Sequence, residues 1–374
     1  MSGQKIVILH FAPLELYPPV QNLIIELSRL ESRQPQVDVI STKPDSNVLP
    51  TFVVPSSNLN LLRVGRSGGG MSSLARYLNY IRFYSSSLLW LIFRRPARVM
   101  YFETISSWPA YFYKRYLSRK CEILVHYHEY TSKEEYQNGM TLNRHFHKLE
   151  KWLYPNLTWL SHTNLHRMEM FKNDVSLKIP EICKILPNHP PKAWYHEPRT
   201  EASLPLRIVY VGALGLDSMY LHEFSVWVQN QNGDVLWDIF TFNCSKEARQ
   251  YLSNLDSPYI KLMNGISYSD IPNKLHGYDV GVVLYKGVIP NHIFSVSNKL
   301  YEYLILGLDV WFPREIKGSL DLVVTDTSPK VLAIDFAHLG EIHLLDKAQK
   351  SFPFWRPKFC CEVTLAPLLK ALTK

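Results

Sequence analysis

Short apolar runs alternate with amphipathic segments along most of the chain, and this pattern predicts strands that alternate with helices. Residues 6–9 and 123–125 are apolar at consecutive positions, as in strands that helices cover on both faces of a sheet. Regular alternation of this kind indicates a parallel sheet. The predicted strands cover residues 6–11, 37–41, 99–102, 122–126, 157–161, 206–212, 235–242, 260–263, 280–284 and 308–312, and helical patterns cover residues 20–30 and 365–372.

A proline-rich segment divides this series in two. Prolines at 187, 190, 191, 198 and 205 lie among polar residues, which is the composition of a linker. A chain of 374 residues is also long for a single domain. We therefore predict an α/β protein with two Rossmann-like, doubly wound domains. The predicted parts are a first domain at 1–190, a linker at 191–205, a second domain at 206–352, and a C-terminal helix within 353–374 that packs back toward the first domain.

Positive charge is concentrated in the predicted first domain. Residues 63–120 contain eleven basic residues and one acid, Glu103. Within that stretch, residues 74–93 mix arginines with tyrosines, leucines and isoleucines. This mixture suits a helix in a membrane interface and, equally, a core helix with solvated arginines. The charge would attract nucleic acid, anionic lipid or phosphorylated substrates, but no nucleic-acid recognition motif accompanies it, so we predict no nucleic-acid partner.

The start of the chain and its cysteines indicate the compartment. Residues 1–9 enter a strand at once, without a charged leader or a cleavage site. Five cysteines, an odd number without metal-type spacing, indicate reduced thiols. The apolar run 88–93 is much shorter than the roughly 20 residues of a bilayer span. We expect a cytoplasmic protein that is peripheral on the inner face of the membrane, with the basic 63–120 region toward the anionic lipid.

The most informative stretch for chemistry is residues 295–313, because the common nucleotide and hydrolase motifs are absent. Ser297 or Asn298 is a good helix N-cap, Gly307 is a good residue to end the helix, and residues 308–312 read as a buried strand. The helix would thus be two to three turns long.

The N-terminus of that helix is a candidate anion site. Backbone amides, the helix dipole and the Lys299 ammonium would together hold a diphosphate. Glu302, one turn further along, would accept two hydrogen bonds from a ribose diol. A capped surface helix with a solvated glutamate explains the same residues, so the pattern alone leaves both interpretations open.

Several segments resemble the nucleotide-binding half of the group 1 GT-B glycosyltransferases, the E-x7-E type. They are YVG at 210–212, YDVGVVLY at 278–285 and SNKLYEYL at 297–304 followed by Gly307, in the family's order and spacing. In the first half, ILVHYHE at 123–129 resembles the strand that ends in a donor-contacting histidine, and ILPNH at 185–189 resembles the element before the linker. The resemblance covers most of the chain and is weaker in the first half.

The resemblance implies a GT-B fold, with two domains that face each other across a cleft, and a metal-independent hexosyltransferase. It needs no cofactor, because the donor nucleoside diphosphate sugar, of UDP or GDP type, is a substrate. His128, across the cleft, would hydrogen-bond the transferred sugar, and Glu302 would take the ribose, so these two are the predicted catalytic residues. The remaining donor-binding residues implied by the resemblance are Gly212 and Ala213 under the diphosphate, Ser297, Asn298, Lys299 and Leu300 at the helix N-terminus, and Ile266 at the base.

The chain departs from the family pattern where phosphate charge is usually met. Phe294 stands where the family usually has its first glutamate, and the usual Arg and Lys after Gly212 are missing. Lys299 and Lys286 are therefore the predicted cations at the donor phosphates. An inverting enzyme would also need a general base at the acceptor, and Glu15, Glu103 and Glu129 are candidates that the sequence does not rank.

A metal site is not expected in the first domain. His126, His128 and Glu129 are near neighbours, but residues along a strand point alternately to opposite faces. The predicted function is transfer of a sugar to a hydroxyl of a glycan or lipid-linked acceptor, in surface-polysaccharide or lipopolysaccharide assembly of bacterial type. Two alternatives stay open: a nucleotide-sugar 2-epimerase, and a non-catalytic, glycosyltransferase-like partner subunit.

Overall fold

The chain forms two compact units. The computed structural model describes residues 4–30, 35–44, 51–54, 56–67, 71–139, 141–176, 180–198, 204–341 and 359–374. The first unit comprises Met1–Asn188 and Cys361–Lys374, and the second comprises His189–Cys360. The division thus falls just before the predicted linker, whose residues 199–203 lie outside the described residues, as do 342–358 of the predicted second domain and C-terminal segment.

A parallel sheet of seven strands, as far as the chain is described, forms the first unit. Its order is β3-β2-β1-β4-β5-β6-β7, and every pair is parallel. The elements are β1 (Lys5–Pro13), α1 (Pro18–Ser28), β2 (Gln36–Pro44), β3 (Leu59–Ser67), α2 (Ser73–Arg94), β4 (Arg98–Phe102), α3 (Ser107–Phe112), β5 (Glu122–Tyr127), α4 (Lys133–Asn138), α5 (Thr141–Leu153), β6 (Leu157–His162), α6 (Leu165–Val175) and β7 (Cys183–Ile185).

The second unit repeats this plan with six strands among the described residues, in the order β10-β9-β8-β11-β12-β13. Its strand pairs are parallel too. The elements are β8 (Leu206–Val211), α7 (Leu221–Asn230), β9 (Val235–Thr241), α8 (Lys246–Leu255), β10 (Ile260–Asn264), α9 (Ile271–Leu275), β11 (Val280–Val282), α10 (Pro290–Ile293), α11 (Asn298–Ile305), β12 (Asp309–Pro313) and β13 (Val331–Ile334). The prediction of two doubly wound α/β units is confirmed.

In each sheet the strand order reverses once, between β1 and β4 and between β8 and β11. Ligands of doubly wound sheets bind at the carboxyl ends of the strands beside such a reversal. We therefore expect a ligand site among the residues that follow these four strands.

The last helix, α12 (Cys361–Thr373), belongs to the first unit. Leu365, Leu368 and Leu372 are buried in one core cluster with Ile24 of α1. The helix stacks on α1, and the Arg98 guanidinium donates to the carbonyl oxygen of Leu372 at 3.1 Å. It begins at Cys361, inside the predicted segment 353–374.

Helix α2 carries large apolar residues on both its buried and its exposed side. Its inner side buries Phe83, Tyr84 and Leu91, whereas its outer side exposes large apolar residues. At 100° per residue six of the seven exposed large apolar side chains fall within an arc of about 120°, and the seventh, Phe93, lies about 40° beyond it. We call the six the α2 outer face; they are Leu74, Tyr77, Leu78, Ile81, Leu89 and Ile92. The inner side therefore packs on the core of the first unit, as in the second interpretation of residues 74–93. None of the described helices combines the length and apolarity that a membrane crossing requires.

Candidate functional site

Helix α11 carries the residues that the sequence assigns to the donor phosphates, and both of its ends are fixed. Ser297 is the N-cap, and the Leu300 amide donates to the Ser297 carbonyl oxygen at 3.0 Å. At the other end Gly307 has a φ of 75°, and the Leu308 amide donates to the Tyr303 carbonyl oxygen at 3.0 Å, as in a Schellman motif. Of the assigned amides, Leu300 thus has an acceptor already, and those of Asn298 and Lys299 precede the first helical bond.

Tyr303 holds this helix against the carboxyl edge of the second sheet. Its side chain is fully buried, and its ring lies directly on the backbone of Gly281 in β11, where an added Cβ would stand 2.1 Å from the ring. The Tyr303 hydroxyl accepts a hydrogen bond from the amide of Val211, the last residue of β8, at 3.0 Å. Helix α11 is therefore tied to the two strands beside the order reversal.

The Lys299 ammonium lies over Gly212, the residue that follows β8. Gly212 has a φ of 145°, and a Cβ placed there would stand 2.5 Å from Lys299 Cε and 2.9 Å from its Nζ. Lys299 Nζ donates to the Tyr285 hydroxyl at 3.2 Å and lies 5.9 Å from the centre of the Tyr210 ring. Only a glycine at 212 leaves room for the cation in this position.

Two ionisable groups determine the charge at this site, the half-buried Lys299 and the buried Glu302. Burial raises the pKa of the Glu302 carboxyl to about 7, although the Lys299 ammonium pulls it down. Burial lowers the pKa of Lys299, but the Tyr285 hydroxyl and Glu302 raise it by more, so the net shift is upward. Lys299 therefore stays charged at neutral pH, whereas Glu302 is poised between its neutral and ionised forms.

The remaining residues that the sequence assigns to the donor site differ in their burial and in their contacts. Ala213 is exposed, and its carbonyl oxygen accepts the Tyr210 hydroxyl at 2.5 Å. Ile266 is half-buried and packs on the core beneath β8. Lys286 Nζ lies 3.2 Å from Glu223 Oε1 of α7, so its charge is largely balanced by that carboxylate. Lys299 is the better candidate for an incoming phosphate.

His128 follows β5 at the carboxyl edge of the first sheet. Its ring is stacked on Phe102, with centroids 5.3 Å apart and planes 6° apart, and Nδ1 lies 3.4 Å from Asn188 Oδ1. Its Nε2 is buried without a hydrogen-bond partner among the described residues. Burial lowers the pKa of His128 to about 4, so the imidazole is neutral at physiological pH.

A row of mostly polar side chains beside His128 was not evident from the sequence. Strand register places His10, Phe102, His126 and Ser161 side by side across β1, β4, β5 and β6. His126 Nδ1 lies 2.8 Å from Ser161 Oγ. In the described part of the chain, both ring nitrogens of His10 and Nε2 of His126 are buried without a partner. A polar residue that ends an otherwise apolar strand was the available signal.

The three candidate bases differ in whether their carboxylates already form ion pairs or hydrogen bonds within the fold. Glu15 forms an ion pair with Arg63 at 2.7 Å and also accepts the Phe52 amide at 3.0 Å. Glu103, with a φ of 60°, accepts the His128 amide through Oε1 at 2.6 Å, and burial raises its pKa to about 8. Glu129 is exposed. Glu103 is the one held beside His128 with a carboxyl that is neutral for much of the physiological range.

Histidines lie together at the carboxyl edge of the first sheet, but among the described residues neither sheet edge brings three ligand atoms close enough to share an ion. Within the described residues, the group of three metal-ligating side chains close enough to share an ion is Glu26, Cys361 and Glu362. These residues lie on α1 and α12, not at the carboxyl ends of the strands.

Comparison by sequence gives no relative: no protein-family model matches the chain, and no curated protein matches it. Comparison of structures does. Sucrose-phosphate synthase from Thermosynechococcus elongatus superposes with a TM-score of 0.65 at 14% identity, over 99% of this chain and 95% of that one. The lipopolysaccharide outer core galactosyltransferase WaaB gives 0.58 at 11% identity, over 88% and 86% of the two chains.

A third similar structure is named as an enzyme of a different activity, an epimerase. UDP-GlcNAc 2-epimerase from Neisseria meningitidis, bound to UDP-GlcNAc, gives a TM-score of 0.59 at 13% identity over 99% of both chains. At identities this low, the superpositions establish the fold but not the reaction. The chain has the GT-B fold, which these glycosyltransferases and nucleotide-sugar epimerases share.

Proposed function

We propose that this chain is a metal-independent glycosyltransferase that binds a nucleoside diphosphate sugar at the carboxyl edge of its second sheet. It transfers the sugar to a hydroxyl of a glycan or lipid-linked acceptor. The observation that carries the proposal is the Lys299 ammonium held over Gly212, beside the N-terminus of α11. A cation, a helix N-terminus and a side-chain-free backbone surface together form a suitable site for a diphosphate.

The same cation serves the chemistry. When the bond from sugar to diphosphate breaks, negative charge develops on the leaving oxygen, and a fixed positive group stabilises that charge. The usual Arg and Lys after Gly212 are absent, so Lys299 supplies this charge. Its contact with the Tyr285 hydroxyl positions the ammonium before the ligand arrives.

The other residues of the site follow from the donor's parts. The Glu302 carboxylate accepts the two ribose hydroxyls, and the backbone at Ile266 contacts the base. His128 hydrogen-bonds the transferred sugar through Nε2, the ring atom that lacks a partner among the described residues. Because this imidazole is neutral, it donates or accepts a hydrogen bond without adding charge.

A 2-epimerase is the second candidate, since an epimerase bound to UDP-GlcNAc has a similar structure. The α2 outer face favours a transferase instead. An epimerase acts on a free nucleotide sugar and gains nothing from an apolar face beside the basic 63–120 region, whereas an enzyme with a lipid-linked acceptor works at an anionic membrane. Assembly of surface polysaccharide or lipopolysaccharide from the cytoplasmic side fits these features.

The test begins with a thermal-shift panel of UDP, GDP, CDP and dTDP sugars, because a ligand that binds only the folded form raises the melting temperature. The stabilising sugar nucleotide is then incubated with the protein and the products are analysed. Transfer or slow hydrolysis of the sugar supports the transferase, and inversion at C2 of intact nucleotide sugar supports the epimerase. No stabilisation by any donor would identify a non-catalytic partner subunit and refute the proposal.

Replacing Lys299 should weaken binding of the donor selected by this panel. Lys299→Ala removes a charge-assisted contact of about 1.5–3 kcal/mol, which corresponds to an affinity loss of about ten- to a hundredfold. The matched control is Lys274→Ala, an exposed lysine of α9, which should change the affinity less than about twofold. Calorimetric affinities that are equal for the two variants would remove Lys299 from the phosphate site.

Donor affinity should rise with pH through the ionisation of Glu302. Burial raises its pKa to about 7, so the carboxyl is mostly protonated at pH 6 and mostly ionised at pH 8. Since the carboxylate is the better acceptor for a ribose diol, affinity should increase by about five- to tenfold over this range. The diphosphate of a nucleotide sugar does not titrate there. Glu302→Gln should bind weakly with a flat profile, and a slope that persists in this variant would contradict the assignment.

Substitution of His128 should impair turnover more than folding or nucleotide binding. His128→Phe keeps an aromatic ring on Phe102 but removes the Nε2 hydrogen bond, so we expect kcat to fall by about a hundredfold or more. The melting temperature and the affinity for the free nucleoside diphosphate should change little. His128→Gln, which restores a polar group, should recover part of the rate. A fully active phenylalanine variant would show that the imidazole has no part in the reaction.

The α2 outer face should bind anionic vesicles. Sedimentation with phosphatidylcholine vesicles that contain phosphatidylglycerol should exceed that with phosphatidylcholine alone, because basic and apolar contacts act together. The double substitution Ile81→Asp, Leu89→Asp should abolish the difference, whereas Val363→Asp on the exposed side of α12 should not. If the double variant instead dissociates a dimer and leaves vesicle binding unchanged, the face is a protein interface.

A further inference from the structure

A cavity in the first unit lies outside the proposed donor site. It is open to solvent, is lined by residues of α4, α5 and α6, and has a volume of about 280 Å³. Its inner wall is aromatic: the Tyr136 ring is stacked on His147, with centroids 3.9 Å apart and planes 10° apart, and Phe171 is buried beside them. The wall offers flat apolar surface at the bottom of the cavity.

The lining of this cavity is strongly basic. Four cations line it, Lys133, Arg144, Lys148 and Lys151, against a single carboxylate, Asp174. Asp174 Oδ2 accepts the Tyr130 hydroxyl at 2.5 Å. Burial lowers the pKa of His147 to about 4, so that ring contributes no charge at neutral pH and the excess comes from the four side chains.

Among the described residues, these cations lack the carboxylate partners that several other cations of the first unit have. Arg63 is paired with Glu15 at 2.7 Å, and Arg98 with Glu122 at 2.6 Å. In the part of the chain that the structure describes, no carboxylate oxygen lies within 4.0 Å of the side-chain nitrogens of Lys133, Arg144, Lys148 or Lys151. Arg144 donates only to a carbonyl oxygen, that of Gln137, at 3.0 Å.

Three of the four cations lie on α5, and their spacing along that helix lowers its stability. Arg144 and Lys148 are four residues apart and Lys148 and Lys151 are three apart, so like charges adjoin along one side of the helix, at a cost of about 0.2–0.5 kcal/mol per pair. An anion held between the side chains removes the repulsion.

We propose that this cavity binds a small phosphorylated molecule with at least two negative charges. The site goes beyond the proposed glycosyltransferase function and does not depend on it. A volume near 280 Å³ lies just below the range of about 300–1,000 Å³ for small-molecule sites, which suits one or two phosphates on a sugar-sized body. The cations grip the phosphates, and the Tyr136 and His147 rings contact the body of the molecule.

The experiment measures binding of inorganic pyrophosphate by calorimetry in the Lys299→Ala protein, where the proposed donor site is weakened. The test variant adds Arg144→Ala, Lys148→Ala and Lys151→Ala. The control adds Lys246→Ala, Arg249→Ala and Lys261→Ala, which removes the same number and kinds of charge from exposed positions of the second unit. Melting temperatures without ligand establish that both proteins are folded.

We expect the Lys299→Ala protein to bind one pyrophosphate, the test variant to bind it at least tenfold more weakly, and the control to change the affinity by less than about twofold. Equal weakening in the test variant and the control would mean a general effect of net charge and would overturn the proposal. The absence of pyrophosphate binding in the folded Lys299→Ala protein would overturn it as well. Neither result bears on donor binding by the second unit, so the two proposals fail separately.

Discussion

The approach of the Lys299 ammonium to the backbone at Gly212 is the constraint on which the proposed donor site depends. Three separate features produce it. The glycine has no side chain at a φ of 145°, Tyr303 ties α11 to β8 and β11, and the Tyr285 hydroxyl holds the ammonium. Each is a property of the second unit alone. Together they leave a positive group at the carboxyl edge of a doubly wound sheet, next to the point where strand order reverses.

The first unit meets a different requirement at its own carboxyl edge. His10, His126 and His128 are buried there, and burial lowers the pKa of each ring, so these three rings are uncharged at neutral pH. Neutral imidazoles with ring nitrogens that have no partner among the described residues suit sugar hydroxyls, which need hydrogen bonds and no counter-charge.

Much of the fold could be predicted from the sequence, because buried parallel strands leave continuous apolar runs. The strands at residues 6–11 and 122–126 correspond to β1 and β5. Strand β3 could not be found in this way, since Asn60, Arg63 and Arg66 interrupt its pattern. The Arg63 side chain is accommodated only because Glu15, distant in sequence, pairs with it, and a tertiary partner of that kind leaves no local signal.

The candidate site could be predicted in part for the same reason. The bounds of α11 follow from a local N-cap and from Gly307, both visible in the sequence. The approach of Lys299 to Gly212 joins residues 87 positions apart, and the pairing of Lys286 with Glu223 joins residues 63 apart. Those contacts depend on how the helices pack on the sheet, which local patterns do not specify.

The most direct test of the account is a crystal structure of the protein with UDP or GDP. The account predicts a diphosphate over Gly212 with an oxygen about 2.7–2.9 Å from Lys299 Nζ, the ammonium turned from Tyr285 toward the phosphate. A nucleotide bound elsewhere on the chain, with Lys299 still donating to the Tyr285 hydroxyl, would contradict it.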